Sequence, residues 1–114
     1  MALTRDQILD APLTSESVTV KEWGGEVIVR TMTVQERMVF DKSVSKNGSG
    51  DTDEDFLVKL IAATVVDDGG NVIFSVEDVS ALNKKSASAI LRVGKASMRL
   101  NALYNDAIED LRKN

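Results

Sequence analysis

Two short stretches near the N-terminus alternate apolar with polar residues. The first contains Val18 and Val20, and the second contains Val27 and Val29. A period of two places each valine pair on one face of a β-strand. The segment Trp23-Gly24-Gly25 separates the two stretches, and its glycines can adopt the positive φ angles that a tight reversal needs. The pattern therefore predicts a β-hairpin.

The spacing of apolar residues becomes helical directly after the predicted hairpin. Thr33 and Glu36 form a Thr-x-x-Glu capping box, which is typical of the first turn of a helix. In this helix we expect Val34, Met38 and Phe40 to face the interior.

Further helices are predicted by the same periodicity and by capping residues. They are a short N-terminal helix over residues 4–9, a central buried helix from residue 52 or 53, a brief helix over 75–82 and a long helix over 86–111. Counted with the helix at Thr33, the sequence predicts a mainly helical α+β fold, with an N-terminal β-hairpin followed by about four helices. The 114 residues correspond to a single domain, 1–114.

One segment has no apolar residue to bury. Residues 45–52 are rich in glycine, serine and asparagine, and this composition is typical of a loop. We therefore expect a flexible loop at 45–52 within the single domain.

The C-terminal part of the last predicted helix is strongly amphipathic. Its apolar positions, spaced as on one helix face, are Leu100, Leu103, Tyr104, Ala107, Ile108 and Leu111. This face can fold back onto the domain core, or it can contact a neighbouring subunit or a partner helix. The single tryptophan, in the predicted hairpin turn, can cover the edge of the core or anchor an interface. The candidate partner-binding residues are Trp23, Leu103, Tyr104, Ile108 and Leu111.

The charge of the chain argues against nucleic acid as the main partner. The formal net charge is −4, whereas proteins that bind nucleic acid need a basic surface. No stretch approaches the roughly 18 apolar residues of a membrane span. Neither a signal peptide nor any cysteine is visible in the sequence, so we expect a soluble cytoplasmic protein.

The residue types that carry most enzyme chemistry are missing. The chain has no histidine and no cysteine, which removes the commonest general base, the thiolate nucleophile and the usual transition-metal ligands. The acidic run at Asp51, Asp53 and Asp55 starts like a calcium loop, but Phe56 and Ala62 stand where that loop needs glycine and glutamate. The sequence therefore predicts no enzyme, no catalytic residue, no cofactor and no metal site.

The order of these segments resembles the tail assembly chaperones of long-tailed bacteriophages. The resemblance rests on the opening Leu3 to Leu9, the hairpin Glu22-Trp23-Gly24-Gly25 with Val27 to Arg30, the helix start Thr33 to Arg37, and the turn Asp67 to Phe74. It implies a small non-enzymatic protein that coats the long, helical tape-measure protein while the tail is built.

The resemblance also implies partners and a location. The expected partners are further copies of this chain, the tape-measure protein and tail-tube subunits, and the expected location is the host cytoplasm, with the protein absent from the mature virion. A small structural tail or head-completion protein of the virion, or an acidic adaptor or regulator of a bacterial host, would have the same composition.

Overall fold

The computed structural model describes residues 1–45 and 55–103. In chain order the elements are α1 (Arg5–Asp10), β1 (Ser15–Val20), β2 (Gly25–Arg30), α2 (Val34–Val44), α3 (Phe56–Thr64), β3 (Val65–Val66), α4 (Val79–Leu82) and α5 (Ala87–Leu100). This arrangement confirms the mainly helical α+β fold with an N-terminal hairpin. The predicted loop lies outside the described residues apart from Ser45, as does the predicted start of the central helix at 52 or 53.

The predicted hairpin forms the main part of an antiparallel sheet. Strands β1 and β2 pair with Val18 opposite Val27 and Val20 opposite Gly25, so the predicted valine pairs share the inner face. The reversal differs from the prediction, because residues Lys21–Trp23 form a 3-10 turn and only Gly24 has a positive φ, 73°. Gly25 instead begins β2.

A third strand completes the sheet in the order β1-β2-β3. Val65 lies opposite Val29 and Val66 opposite Ile28. Val66 also bridges to Val72, across a turn in which the Asp67 carboxylate accepts hydrogen bonds from the backbone N–H groups of residues 69 and 71.

The main core lies between the inner face of the sheet and helices α3 and α5. It buries eleven residues of the described chain, namely Val18, Val20, Val29, Val58, Ile61, Val65, Leu82, Ala89, Ile90, Val93 and Ala96. Valines dominate the sheet side because β-branched side chains pack well on a pleated surface. The central helix α3 is buried as the sequence predicts.

A smaller apolar cluster lies beneath α2. Phe40, Val44 and Leu60 are buried there, and the Phe40 ring packs at a tilt against Phe56 with centroids 5.5 Å apart. Phe40 faces inward as predicted. The expectation for Val34 and Met38 is wrong, because both side chains are exposed. Of the residues of α2, only Phe40 and Val44 are buried.

Helix α5 packs closely against α3. A β-carbon placed on Gly94 would lie 2.5 Å from Leu57 Cδ1, so the glycine at this position allows the two helices to approach closely. Nearby, the hydroxyls of Thr64 and Ser97 share a hydrogen bond of 2.6 Å, and both residues are fully buried. The contact satisfies two polar groups that would otherwise be costly to bury.

Helix α5 ends earlier than the predicted range of 86–111. It stops at Leu100, and Ala102 adopts a left-handed φ of 63°. The amide oxygen of Asn101 accepts a 2.7 Å hydrogen bond from the backbone N–H of Met32, and its amide nitrogen donates to the Ser97 carbonyl at 2.9 Å. The bond to Met32 holds the end of α5 against the segment that leads into α2. Apolar periodicity carries no information about such a polar contact, so it could not predict this helix end. The residues after 103 lie outside the described part of the chain.

The short N-terminal helix forms where the sequence predicts it. Thr4 and Gln7 make a complete capping box, with Gln7 N–H donating to the Thr4 hydroxyl and Thr4 N–H donating to the Gln7 side chain. No residue of α1 is buried. The helix therefore has its own cap, but none of its side chains is buried against the rest of the chain.

Candidate partner-binding site

An apolar groove runs between α2, α3 and the segment that follows the turn at residues 67–71. It has a volume of about 630 Å³, which is within the roughly 300–1,000 Å³ range of ligand-binding clefts. We call it the α2–α3 groove and define it by its principal apolar residues, Val39, Ala62, Val72, Phe74, Val76 and Val79. Val39 and Val76 are 69% and 85% exposed, so the apolar surface is open to solvent.

Local structure on both sides explains why apolar side chains face this groove. On α2, burial of Phe40 and Val44 leaves Val39 about 100° away from the buried stripe, as helix geometry requires. On the other side, Ser75 and Asp78 form a capping box around the 3-10 turn Val76–Asp78. The turn leaves Val76 outside the core.

The charged side chains at the rim of the groove form hydrogen bonds with other groups of the same chain. The Glu36 carboxylate accepts two hydrogen bonds of 2.9 Å from the Arg30 guanidinium and one of 2.8 Å from the backbone N–H of Thr33. The Arg30 hydrogen bonds are the main reason why the pKa of Glu36 falls from 4.5 to about 2. Lys59 Nζ donates to the Ser43 carbonyl at 2.9 Å. The groove therefore offers a mostly apolar surface with an anchored polar edge.

The described residues contain no arrangement that suggests catalysis or metal binding. No group of three or more acidic residues there could hold a metal ion, and no helix in residues 1–45 or 55–103 is long and apolar enough to cross a membrane. The Asp67 carboxylate has a lowered pKa, chiefly because the backbone N–H of Asn71 donates to it. That carboxylate stabilises a turn.

A second apolar surface lies on the N-terminal arm, which we define as residues 1–13. Ile8 and Leu9 are 57% and 65% exposed, and Leu3 and Leu13 are also exposed. Leu3 precedes the cap residue Thr4, and Ile8 is the fourth helical residue, which are the two positions of a hydrophobic staple. The staple positions and Leu9 give the arm a compact apolar patch.

The structure places the predicted partner-binding residues in different parts of the molecule. Trp23 is 38% exposed and follows Glu22, whose carboxylate binds Ser88 and Arg92 in the N-terminal half of α5. Leu103 lies beyond the other end of α5, against the cluster beneath α2. The predicted residues Tyr104, Ile108 and Leu111 lie outside the described part of the chain.

The α2–α3 groove does not follow from the sequence pattern alone. Val39 is apolar but lies outside the inward stripe expected for α2, and this mismatch is a signal in the sequence for an exposed apolar surface. Val76 gave a similar signal, since it is an apolar residue inside a capping box. The remaining lining residues come together only through the turn after β3, which pattern alone does not fix.

The sequence and the fold are both similar to those of known proteins. Residues 5–113 match the family model described as phage tail assembly chaperone. The fold is similar to the solved structure of the bacteriophage HK97 tail assembly chaperone, with a TM-score of 0.58 and 19% sequence identity, over 83% of this chain and 90% of that chain. At this identity the structural likeness concerns the fold alone. The search of curated proteins gave no match.

Proposed function

The chain belongs to the phage tail assembly chaperone family, and we propose that it binds and coats the tape-measure protein of its phage during tail assembly. The observation that carries this proposal is the α2–α3 groove, an open surface whose lining is mainly apolar. Exposed apolar grooves commonly receive one face of an amphipathic helix. A long, helical tape-measure protein offers many such faces along its length.

Coating a long polymer requires many copies of a small protein, so we also propose that the chaperone self-associates. The predicted apolar face with Leu103, Tyr104, Ile108 and Leu111 is one candidate for contacts between copies, and Trp23 is another. Neighbouring copies would raise the local concentration of binding sites along the tape-measure protein, which strengthens overall binding without new contacts.

We further propose that the chaperone helps to recruit tail-tube subunits, acts in the host cytoplasm without enzymatic activity, and is absent from the mature virion. Mass spectrometry of purified virions separates this proposal from the alternative of a structural tail or head-completion protein. A chaperone should be missing from the particles, whereas a structural component should be present at fixed stoichiometry.

The groove can be tested with two matched substitutions on α2. Val39 lines the groove, whereas Val34 is a comparably exposed valine, at 78%, outside it. We expect Val39→Asp to weaken binding to the purified tape-measure protein of the same phage at least tenfold, because the carboxylate would lose its hydration in an apolar contact. Val34→Asp should bind like the wild type.

Circular dichroism should show that both valine variants are folded before their affinities are compared. Equal tape-measure affinities for the wild type, Val39→Asp and Val34→Asp would contradict the proposed role of the groove. Loss of binding in both variants would instead assign the contact to a wider surface of α2.

A further inference from the structure

The N-terminal arm has the features of a docking segment. Its helix α1 has six residues, Arg5–Asp10, and isolated helices shorter than about 12–15 residues are marginal in water. Its capping box stabilises the first turn only. A helix this short is stabilised mainly by packing of an apolar face, yet no residue of α1 is buried against its own chain.

The arm and the α2–α3 groove complement each other. The patch of Leu3, Ile8 and Leu9 is aliphatic, as is most of the groove lining. The α1 backbone extends about 9 Å, and the groove has a volume of about 630 Å³. Asp10, which follows Leu9, is acidic, and Lys59, whose ammonium group donates to the Ser43 carbonyl, is the cation among the described groove residues. The opposite charges of the two residues favour one orientation of the arm.

The anchoring of the arm favours a groove on a different molecule. The Thr14 carbonyl accepts a 2.9 Å hydrogen bond from the Thr31 backbone N–H, and Leu13 lies beside Ile28 and Val66 on the outer face of the sheet. The arm therefore leaves its own chain at the outer face. No arm residue is among those that line the groove of the same chain.

From these observations we propose that, in the free chaperone, the N-terminal arm of one copy occupies the α2–α3 groove of a second copy. The inference rests on the proposed function, because it names the surfaces through which the chaperone self-associates. Such a contact buries well under the roughly 1,200 Å² of a standard stable interface. It is therefore weak and exchangeable, and a tape-measure helix can displace the arm from the groove.

The chain contains no cysteine, which allows a clean cross-linking test. Full-length Leu9→Cys and Val76→Cys variants are mixed and treated with a short bis-maleimide. We expect a covalent dimer in the mixture and much less in either variant alone. Thr19→Cys, which places the thiol at an exposed position of β1, should not cross-link to Val76→Cys and serves as the control.

Two cross-linking outcomes would overturn the proposal. One is a mixture of Leu9→Cys and Val76→Cys that gives no more dimer than the control pair. The other is a double variant, Leu9→Cys with Val76→Cys, that cross-links only within the monomer, since this would place the arm in the groove of its own chain.

A second experiment separates the arm contact from the rest of the proposed function. Light scattering at tens of micromolar should show that Leu9→Asp weakens self-association at least tenfold while the midpoint of thermal unfolding stays that of the wild type. The variant should keep, or exceed, wild-type affinity for the tape-measure protein, because its groove is free. Val39→Asp should lose both interactions.

The possible failures of this experiment are distinguishable. If Leu9→Asp forms oligomers of the same size as the wild type while Ile108→Asp does not, the arm contact is overturned. Self-association is then assigned to the C-terminal face. A monomeric wild type would also overturn it, while the tape-measure measurements on Val39→Asp would still test the groove. Loss of tape-measure binding in Leu9→Asp would overturn displacement of the arm.

Discussion

Helices α1 and α2 begin with the same capping motif but differ in how far they are buried. Each opens with a capping box, from Thr4 and Gln7 in α1 and from Thr33 and Glu36 in α2. Helix α2 buries Phe40 and Val44, whereas α1 buries nothing. The comparison shows that a cap determines where a helix starts, while its value for stability depends on whether the helix packs against the body.

The largest loss of stability is expected at the close contact between α5 and α3. Helix α1 makes no such contact with the body. Gly94→Leu should destabilise the protein by about 3 kcal/mol, because its side chain would overlap Leu57 between α5 and α3. Urea unfolding would measure this loss. Lys95→Leu, at the exposed neighbouring position, should change stability by less than about 0.5 kcal/mol, and equal losses in both variants would contradict the role of close packing.

A smaller loss is expected where α5 is fastened to the start of α2. Asn101→Ala should cost about 2 kcal/mol, because it leaves the Met32 N–H without its buried acceptor. Asn83→Ala is a suitable control, since it removes a side-chain hydrogen bond to Asp55 at an exposed site. Chemical denaturation of both variants would compare them, and a loss for Asn83→Ala as large as that for Asn101→Ala would contradict the interpretation.

The carboxylate of the α2 capping box should make stability depend on pH. The pKa of Glu36 is about 2 in the folded protein against 4.5 ordinarily, so its contribution is present above about pH 4.5 and is lost as the pH falls towards 2. Its side chain is 35% exposed, and after allowance for solvent screening we expect about 1–2 kcal/mol. Glu36→Gln should remove this part of the acid dependence, as measured by urea unfolding at pH 7 and pH 3. An unchanged pH profile would exclude the pair as its source.

The smallest effects test the comparison of the two caps directly. Thr33→Ala should cost about 1 kcal/mol of global stability, a typical value for a lost N-cap. Thr4→Ala should cost less than about 0.3 kcal/mol in the monomer, because unfolding of α1 does not open the core. Thermal unfolding at low protein concentration would compare them. Equal losses would mean that α1 is coupled to the body of its own chain.

The sequence predicted the parts of the fold that depend on local signals. The hairpin followed from alternating valines, and the starts of α1 and α2 followed from their capping boxes. The end of α5 could not be predicted, because it depends on a hydrogen bond between Asn101 and Met32, which are 69 positions apart. Strand β3 was missed because a two-residue apolar strand directly after a buried helix has the same composition as the helix.

The candidate site was harder to predict than the fold. A groove is defined by residues from several segments. Val39 and Val76 line the same groove only because the chain turns back at residues 67–71. Sequence periodicity also assumes that an apolar face is buried, so it assigned Val34 and Met38 to the core. The exposed apolar residues of the capped helix α2 break this assumption.

The separate locations of the arm and the groove give any row of these proteins a direction. Every subunit inside the row would have its arm and its groove filled, while the first would keep an empty groove and the last an unused arm. Growth could then differ in rate at the two ends, as it does in other polar filaments. Because the arm and the tape-measure helix compete for the groove, this direction belongs to rows of the free chaperone.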